Sequence, residues 1–307
     1  MVHEVSKKEV HELFIVTMRQ AAQVLPADVR KALEDNLANE TDPIAKLHLE
    51  TFLRNADLGV KKGTFSCPDT GWPTFYVKIG DELKIEGGLS CLQAIARKVV
   101  TELTGAGNLR PTLADPVTRK SFDSNVGAYY PRVKIVPDPT VESIEVTAVP
   151  KGGGSEVAAT FYRMLLPADG RNGIIRFVVD CFLAASYSGK SCPPNIIGVG
   201  IGGTADMCND LAKEAAVLRI VGDRNPDPDI AKFELELLSE LNKLGVGPMG
   251  TGGKVGVLDV HIEKAAVHTG ALPVAFNAQC SIAKRATGML NAKKEVVFLE
   301  DPNWRAW

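Results

Sequence analysis

Apolar positions over residues 4–58 recur at helical spacing, with Val10, Leu13 and Phe14 on one face of a first stretch and Leu33 and Leu37 on one face of a second. Pro26 marks the break between them, and Asp28 is placed to cap the second helix. Past residue 60 the pattern changes. Gly63, Pro68, Gly71 and Pro73 punctuate a loop, and Phe75-Tyr76-Val77-Lys78-Ile79 reads as a short strand. A helix is predicted over 89–103, then a loop around Arg110, then strands near 132–136 and 143–149.

Lys151-Gly152-Gly153-Gly154-Ser155 breaks the pattern again. Beyond it, Gly173–Ser186, Thr204–Val217 and Ile230–Leu244 carry helical spacing. Asn195–Gly200, Val255–Val260 and Leu272–Ala278 are short apolar runs suited to buried strands. Residues 245–253 form a second glycine-rich turn, and no internal repeat or low-complexity linker interrupts the chain. Interleaved strands and helices without a boundary predict a single α/β domain. It comprises a mixed sheet with flanking helices over 61–307 and a helical N-terminal segment, residues 1–60, packed on it.

Composition narrows the function classes. The chain has 307 residues, 45% hydrophobic and 23% charged, with a net charge of −2. That is enough chain for a large core, and no run of one sign offers a nucleic-acid or membrane surface. No segment reaches the roughly 18–20 apolar residues of a membrane helix. The N-terminal stretch, MVHEVSKKEVHELF, lacks the apolar core of a signal peptide, so the cytoplasm is the expected compartment. There the six cysteines are expected as thiols, metal ligands or small buried hydrophobes rather than disulfides.

Three cysteines fall in loop contexts: Cys67 in Ser66-Cys67-Pro68-Asp69-Thr70-Gly71, Cys192 in Ser191-Cys192-Pro193-Pro194-Asn195, and Cys280 at the end of Asn277-Ala278-Gln279-Cys280. A proline after a cysteine removes one N–H and fixes a turn, a setting common among cluster ligands. Cys91, Cys181 and Cys208 lie in helix-like segments and read as buried filler. The wide spacing matches no compact zinc or ferredoxin pattern, so spacing alone leaves metal ligands and idle thiols both open.

Gly198-Val199-Gly200-Ile201-Gly202-Gly203 satisfies a dinucleotide-binding pattern between a strand and a helix, with Asp223 downstream. Close strand–helix packing and an anion-binding helix N-terminus are the competing readings. The triple glycine at 152–154 is either a flexible loop or a place where backbone N–H groups approach a carboxylate. His268, Asp69, Arg110 and Arg219 each have a bland reading: a structural histidine, a turn-forming aspartate and two surface arginines.

Taken together, CPDTG (67–71), VPKGGGSE (149–156), SCPPNIIGVGIGGT (191–204), LNKLGVGPMGTGGK (241–254), DVHIEKAAVH (259–268) and LPVAFNAQC (272–280) resemble the class I iron–sulfur fumarases and the alpha subunits of L-tartrate dehydratases. The resemblance covers about residues 40–285. It implies a hydro-lyase that hydrates or dehydrates a small dicarboxylate, with fumarate/malate the first expectation and tartrate or another hydroxy-diacid the alternative. Cys67, Cys192 and Cys280 would hold a 4Fe–4S cluster whose open iron acts as a Lewis acid. Asp69 and His268 would be catalytic, and Arg110, Gly152, Gly153 and Gly154 would contact substrate. A beta subunit would complete the enzyme, in an alpha2beta2 assembly. A nucleotide-dependent oxidoreductase or a non-catalytic paralogue are the expectations from other classes. The resemblance departs at the loops expected to face substrate: Pro68 stands where the family often has Gln, Thr112 where it usually has Asn, and Ser121-Phe122-Asp123-Ser124-Asn125-Val126 where it has an Asn/Thr-rich stretch.

Overall fold

The computed structural model describes residues 4–304. The chain opens with a two-residue strand β1 (Glu4–Val5) and helices α1 (Lys7–Gln23), α2 (Ala27–Asn39) and α3 (Pro43–Lys62). Strands β2 (Trp72–Ile79) and β3 (Lys84–Ile85), helix α4 (Cys91–Gly105) and strands β4 (Arg132–Pro137) and β5 (Ile144–Lys151) follow. Then come a short helix α5 (Gly153–Val157), strand β6 (Thr160–Leu165), helix α6 (Gly170–Tyr187), strand β7 (Asn195–Ile201) and helices α7 (Ala205–Leu218) and α8 (Pro228–Lys243). Strands β8 (Val257–Lys264), β9 (Leu272–Gln279), β10 (Ala286–Leu290) and β11 (Val296–Leu299) close the chain. The mixed α/β class expected from the sequence is what is observed.

Two compact units divide these elements. The first takes residues up to Pro26, 55–152 and 284–302, and the second takes 27–54, 153–283 and the residues from Asn303. The N-terminal helices are shared out accordingly, α1 with the first unit and α2 with the second.

The first unit is built on a mixed sheet in the order β11-β10-β5-β2-β4, with only β2 and β4 parallel. Helix α1 starts at a capping box: Ser6 Oγ accepts from Glu9 N at 3.2 Å, and Glu9 Oε2 accepts from Ser6 N at 2.7 Å. Its buried stripe, Val10, Leu13, Phe14, Thr17, Met18 and Ala21, follows helical spacing onto the sheet. The Phe14 and Phe75 rings meet there at 4.8 Å. Helix α4 adds Leu92, Ile95, Ala96, Val99, Val100 and Leu103 to the same core.

The second unit holds a four-stranded sheet in the order β6-β9-β7-β8, with β7 and β8 parallel and the other pairs antiparallel. Alternate residues of β7 serve opposite faces. Ile197 and Val199 join a core with Phe177, Val178 and Phe182 of α6 and Phe233, Leu237 and Leu241 of α8. Gly198 and Gly200 face α7, where a Cβ would lie 2.0 Å from Ala212 O and 2.1 Å from Cys208 O respectively. With both faces covered, β7 reads as an uninterrupted apolar run.

Several charges buried in this unit are paired. Arg219, expected on the surface, has a side chain 2% exposed, with Nη1 2.6 Å from Glu234 Oε1 and Nε 3.2 Å from Asp223 Oδ2. Asp259 lies 2.8 Å from Arg224 Nη1 and 3.2 Å from His261 Nε2, and accepts from Gly222 N at 2.6 Å. Burial pushes its carboxyl up, but the His261 side chain, that amide and Arg224 outweigh it and hold the group below the usual range. Asp28, expected to cap α2, lies instead inside its first turn and accepts from Val221 N at 2.9 Å, tying α2 to the segment after α7. At the far end of α2, the buried Glu40 accepts from Lys254 N at 2.7 Å and so fixes the glycine-rich turn at 245–253.

Replacing Gly200 with Ala should lower stability by about 1–3 kcal/mol, because β7 and α7 must part to admit a methyl group. Gly105→Ala meets nothing within 4 Å and should leave the chain unchanged or slightly more stable. The urea midpoints of the two variants check the pair, and equal midpoints would contradict the close approach.

Candidate functional site

In the first unit, Cys67 sits in a turn that is held at every following residue. Ser66 anchors the turn from before: its N and Oγ reach Ala22 O at 2.9 and 3.2 Å, and its carbonyl accepts from Asn55 Nδ2. Arg110 Nη1 then donates to Pro68 O at 3.1 Å, and Lys284 Nζ donates to Asp69 O. The buried Thr70 Oγ1 accepts from Arg110 N at 3.0 Å. Thr112 Oγ1 donates to Gly71 O at 2.9 Å. Gly71 has φ +68°, and a Cβ there would stand 1.7 Å from Lys151 O, so glycine is the residue this position admits. Asn125, at φ +56°, braces the opposing loop by accepting from Thr112 N and Leu113 N, each at 3.2 Å.

The structure therefore brings Cys67, Asp69 and Arg110 together within one unit. Arg110 is exposed and spends Nη1 and its backbone N–H on the turn, which leaves Nε and Nη2 for a ligand carboxylate. Sequence reasoning passed over Lys284, Lys151 and Arg285, which are 2%, 3% and 6% exposed. The nearest signal was the position of Lys284-Arg285 just after Cys280, in a run that otherwise reads as ordinary chain.

In the second unit, Cys192 precedes β7 and Cys280 follows β9. These strands pair antiparallel with Ile196 opposite Gln279, so both cysteines lie at the same end of the sheet. Ser281 N donates to Cys192 O at 2.9 Å, and Asn195 Nδ2 donates to Gln279 O at 2.9 Å, which locks the two loops side by side. Met249 N reaches Pro193 O at 2.9 Å from the second glycine-rich turn. The triple glycine is ordered: Gly153 opens α5, and a Cβ on Gly154 would stand 1.9 Å from Lys190 O. Gly154 thus lets α5 lie against the loop that leads to Cys192.

His268 is not brought to these loops. It is exposed between β8 and β9, its Nδ1 accepting from Gly270 N at 3.1 Å. The eight residues of β9 separate it from Cys280, on the order of 25 Å of extended strand. Nor is the dinucleotide pattern free for a ligand, since Gly198 and Gly200 serve packing on α7 and Asp223 pairs with Arg219.

The cysteines divide by environment. Cys67, Cys192 and Cys280 are partly exposed, whereas Cys181 and Cys208 are buried, and burial pushes their thiols up to about 12 and about 11. Cys91, expected to be buried, is half-exposed at the start of α4, with a thiol that burial also raises. Among the described residues, no three His, Cys, Asp or Glu side chains are already gathered as a metal site. What the chain offers is soft thiol donors in loops, two of them bound side by side, a donor type that suits iron–sulfur chemistry rather than magnesium or calcium.

The family model described as fumarate hydratase (Fumerase) matches residues 11–289. The chain belongs to this fumarate hydratase family. Among its relatives, a putative L(+)-tartrate dehydratase subunit alpha of Methanocaldococcus jannaschii is 39% identical over 91% of this chain and 96% of its own length. The L(+)-tartrate dehydratase subunit alpha of Escherichia coli K12 is 32% identical over 87% of this chain and 86% of its own. As a member of the fumarate hydratase family with such relatives, the chain is the alpha-type part of a hydro-lyase. No described helix is long and apolar enough to cross a membrane.

Alkylation of the native apo chain at mildly alkaline pH should modify Cys67, Cys192 and Cys280 and spare Cys181 and Cys208. Peptide mass spectrometry checks this, and modification of Cys181 at the rate of Cys192 would contradict it.

Proposed function

We propose that this chain is the alpha subunit of a cytoplasmic hydro-lyase that reversibly removes water from a four-carbon hydroxy-dicarboxylate. The observation that carries the proposal is the clamped Cys67–Gly71 turn, which gathers a thiol, a carboxylate and an arginine with free donors within one unit. Elimination of water needs three things from a protein: a hold on two carboxylates, a group that moves a proton, and help for the departing hydroxyl.

Arg110 supplies the first, its Nε and Nη2 matching the two oxygens of a carboxylate. The backbone N–H groups at Gly152 and Gly153 are proposed for the second carboxylate, while the missing side chain of Gly154 is accounted for by packing. The Asp69 carboxylate is proposed to hold or move the proton of the departing water. Removal of the carbon-bound proton is assigned to the beta subunit. His268 receives no step, because it lies at the other end of the sheet from Cys192 and Cys280 of its own chain.

Cys67, Cys192 and Cys280 are the proposed ligands of a 4Fe–4S cluster. When bound, such a cluster supplies a Lewis-acidic iron for the hydroxyl. The assembly with a beta subunit is proposed from the names of the relatives, which are alpha subunits. Those names also favour L(+)-tartrate, and the family description favours malate and fumarate, so the proposed substrate class holds both.

Co-expression with a beta-type subunit followed by anaerobic reconstitution tests the reading. About four irons per chain are expected, with fumarate formed from malate or oxaloacetate formed from L(+)-tartrate. Cys192→Ser should lose iron and turnover together. A fully loaded wild-type assembly that dehydrates neither diacid would refute the proposal.

A further inference from the structure

A buried ammonium is costly unless a negative charge or a set of acceptors surrounds it. Lys284 is 2% exposed and yet forms no ion pair among the described residues. Its Nζ donates to one backbone oxygen, that of Asp69, two residues beyond Cys67. The neighbouring carbonyl, Pro68 O, is held by a second cation, Arg110, at 3.1 Å. Two positive side chains from distant parts of the sequence thus hold consecutive carbonyls of one turn. Ordinary hydroxyl or amide donors would satisfy those carbonyls without the desolvation cost of a cation.

We infer that Lys284 is a positioning residue for the Cys67–Gly71 turn. Its ammonium fixes the Asp69 peptide, sets the direction of the Asp69 carboxylate, and places buried positive charge beneath a turn that works on anions. The charge complements the diacid that the proposed reaction brings to the same turn. The mechanical part of the role, holding the turn, is independent of the proposed reaction. The electrostatic part rests on it.

Lys284→Met keeps the length of the side chain and removes its donor and charge, and Lys284→Gln keeps a neutral donor. In the full-length apo chain, Lys284→Met should raise the alkylation rate of Cys67 by about ten- to a hundredfold, the local opening expected when a charge-assisted hydrogen bond is lost. Cys91, elsewhere in the same unit, should keep its wild-type rate. Lys284→Gln should fall between the two. Cys67 labelling that is unchanged in both variants overturns the inference. So does an equal rise at Cys91, which would mark general loosening of the unit.

In the assembled enzyme, both variants should lose kcat per loaded cluster, whatever fraction of the chains holds iron. A loaded fraction that keeps the wild-type kcat overturns the electrostatic part of the inference. If the wild-type assembly dehydrates no diacid, the proposed reaction fails, whereas the apo labelling still decides whether Lys284 holds the turn.

Discussion

The antiparallel pairing of β7 with β9 is the constraint on which the second unit depends. It fixes Ile196 opposite Gln279, and so brings the residue before one strand and the residue after the other to a common edge. Cys192 and Cys280 become neighbours for that reason, although 88 positions separate their numbers, 280 − 192. A slip of one residue would turn every side chain of β7 to the wrong face. Such a slip is opposed from both sides. Ile197 and Val199 fill the core under α6 and α8, and Gly198 and Gly200 admit the backbone of α7 at distances no side chain allows. The same geometry carries His268 to the opposite edge.

The first unit solves a different problem, that of holding a short turn rigid beside groups that must stay reactive. Cys67 is half-exposed, so burial cannot fix it in place. Its backbone is fixed instead, through hydrogen bonds to Pro68, Asp69, Thr70 and Gly71 from residues 110–112 and Lys284. Thr112, one of the positions at which this chain departs from the pattern it resembles, takes part in that clamp through its hydroxyl. Pro68, another, takes part only through its carbonyl, which any residue there would offer. The Thr112 departure therefore has a mechanical role within the turn, in addition to any effect on which diacid fits.

The two kinds of cysteine illustrate how environment sorts one chemistry into two roles. Cys181 and Cys208 are helix residues inside packed cores, where the thiolate form is suppressed and the side chain acts as a small hydrophobe. The three loop cysteines keep access to solvent and ligands. Membership in the fumarate hydratase family and the alpha-subunit relatives place the reaction among hydrations and dehydrations. The choice between malate and L(+)-tartrate turns on one further hydroxyl on the substrate, and that is decided by contacts finer than family membership.

Much was legible in the sequence because it depends on local period. Helices α1, α4, α6, α7 and α8 follow from apolar residues at helical spacing, and β2, β7 and β9 from short apolar runs. The loop settings of Cys67, Cys192 and Cys280 were legible from proline and glycine punctuation. Strand β6 was not, because it pairs on one side only and exposes most of its residues, which erases the alternation that marks a strand. Strands β10 and β11 are short and gain their stability from pairing, β10 onto β5 and β11 onto β10, rather than from their own pattern. Arg219 read as a surface charge and Lys284 drew no reading at all, since a sequence shows a residue's polarity but not the partners that allow its burial. Glu234 and the Asp69 carbonyl, 15 and 215 positions away, are those partners. The sequence by itself determined which residues could do chemistry and which segments would be helix or strand, because both depend on side-chain type and spacing. Only the tertiary structure decided which of them meet, because strand register and close packing act between residues that the chain keeps far apart.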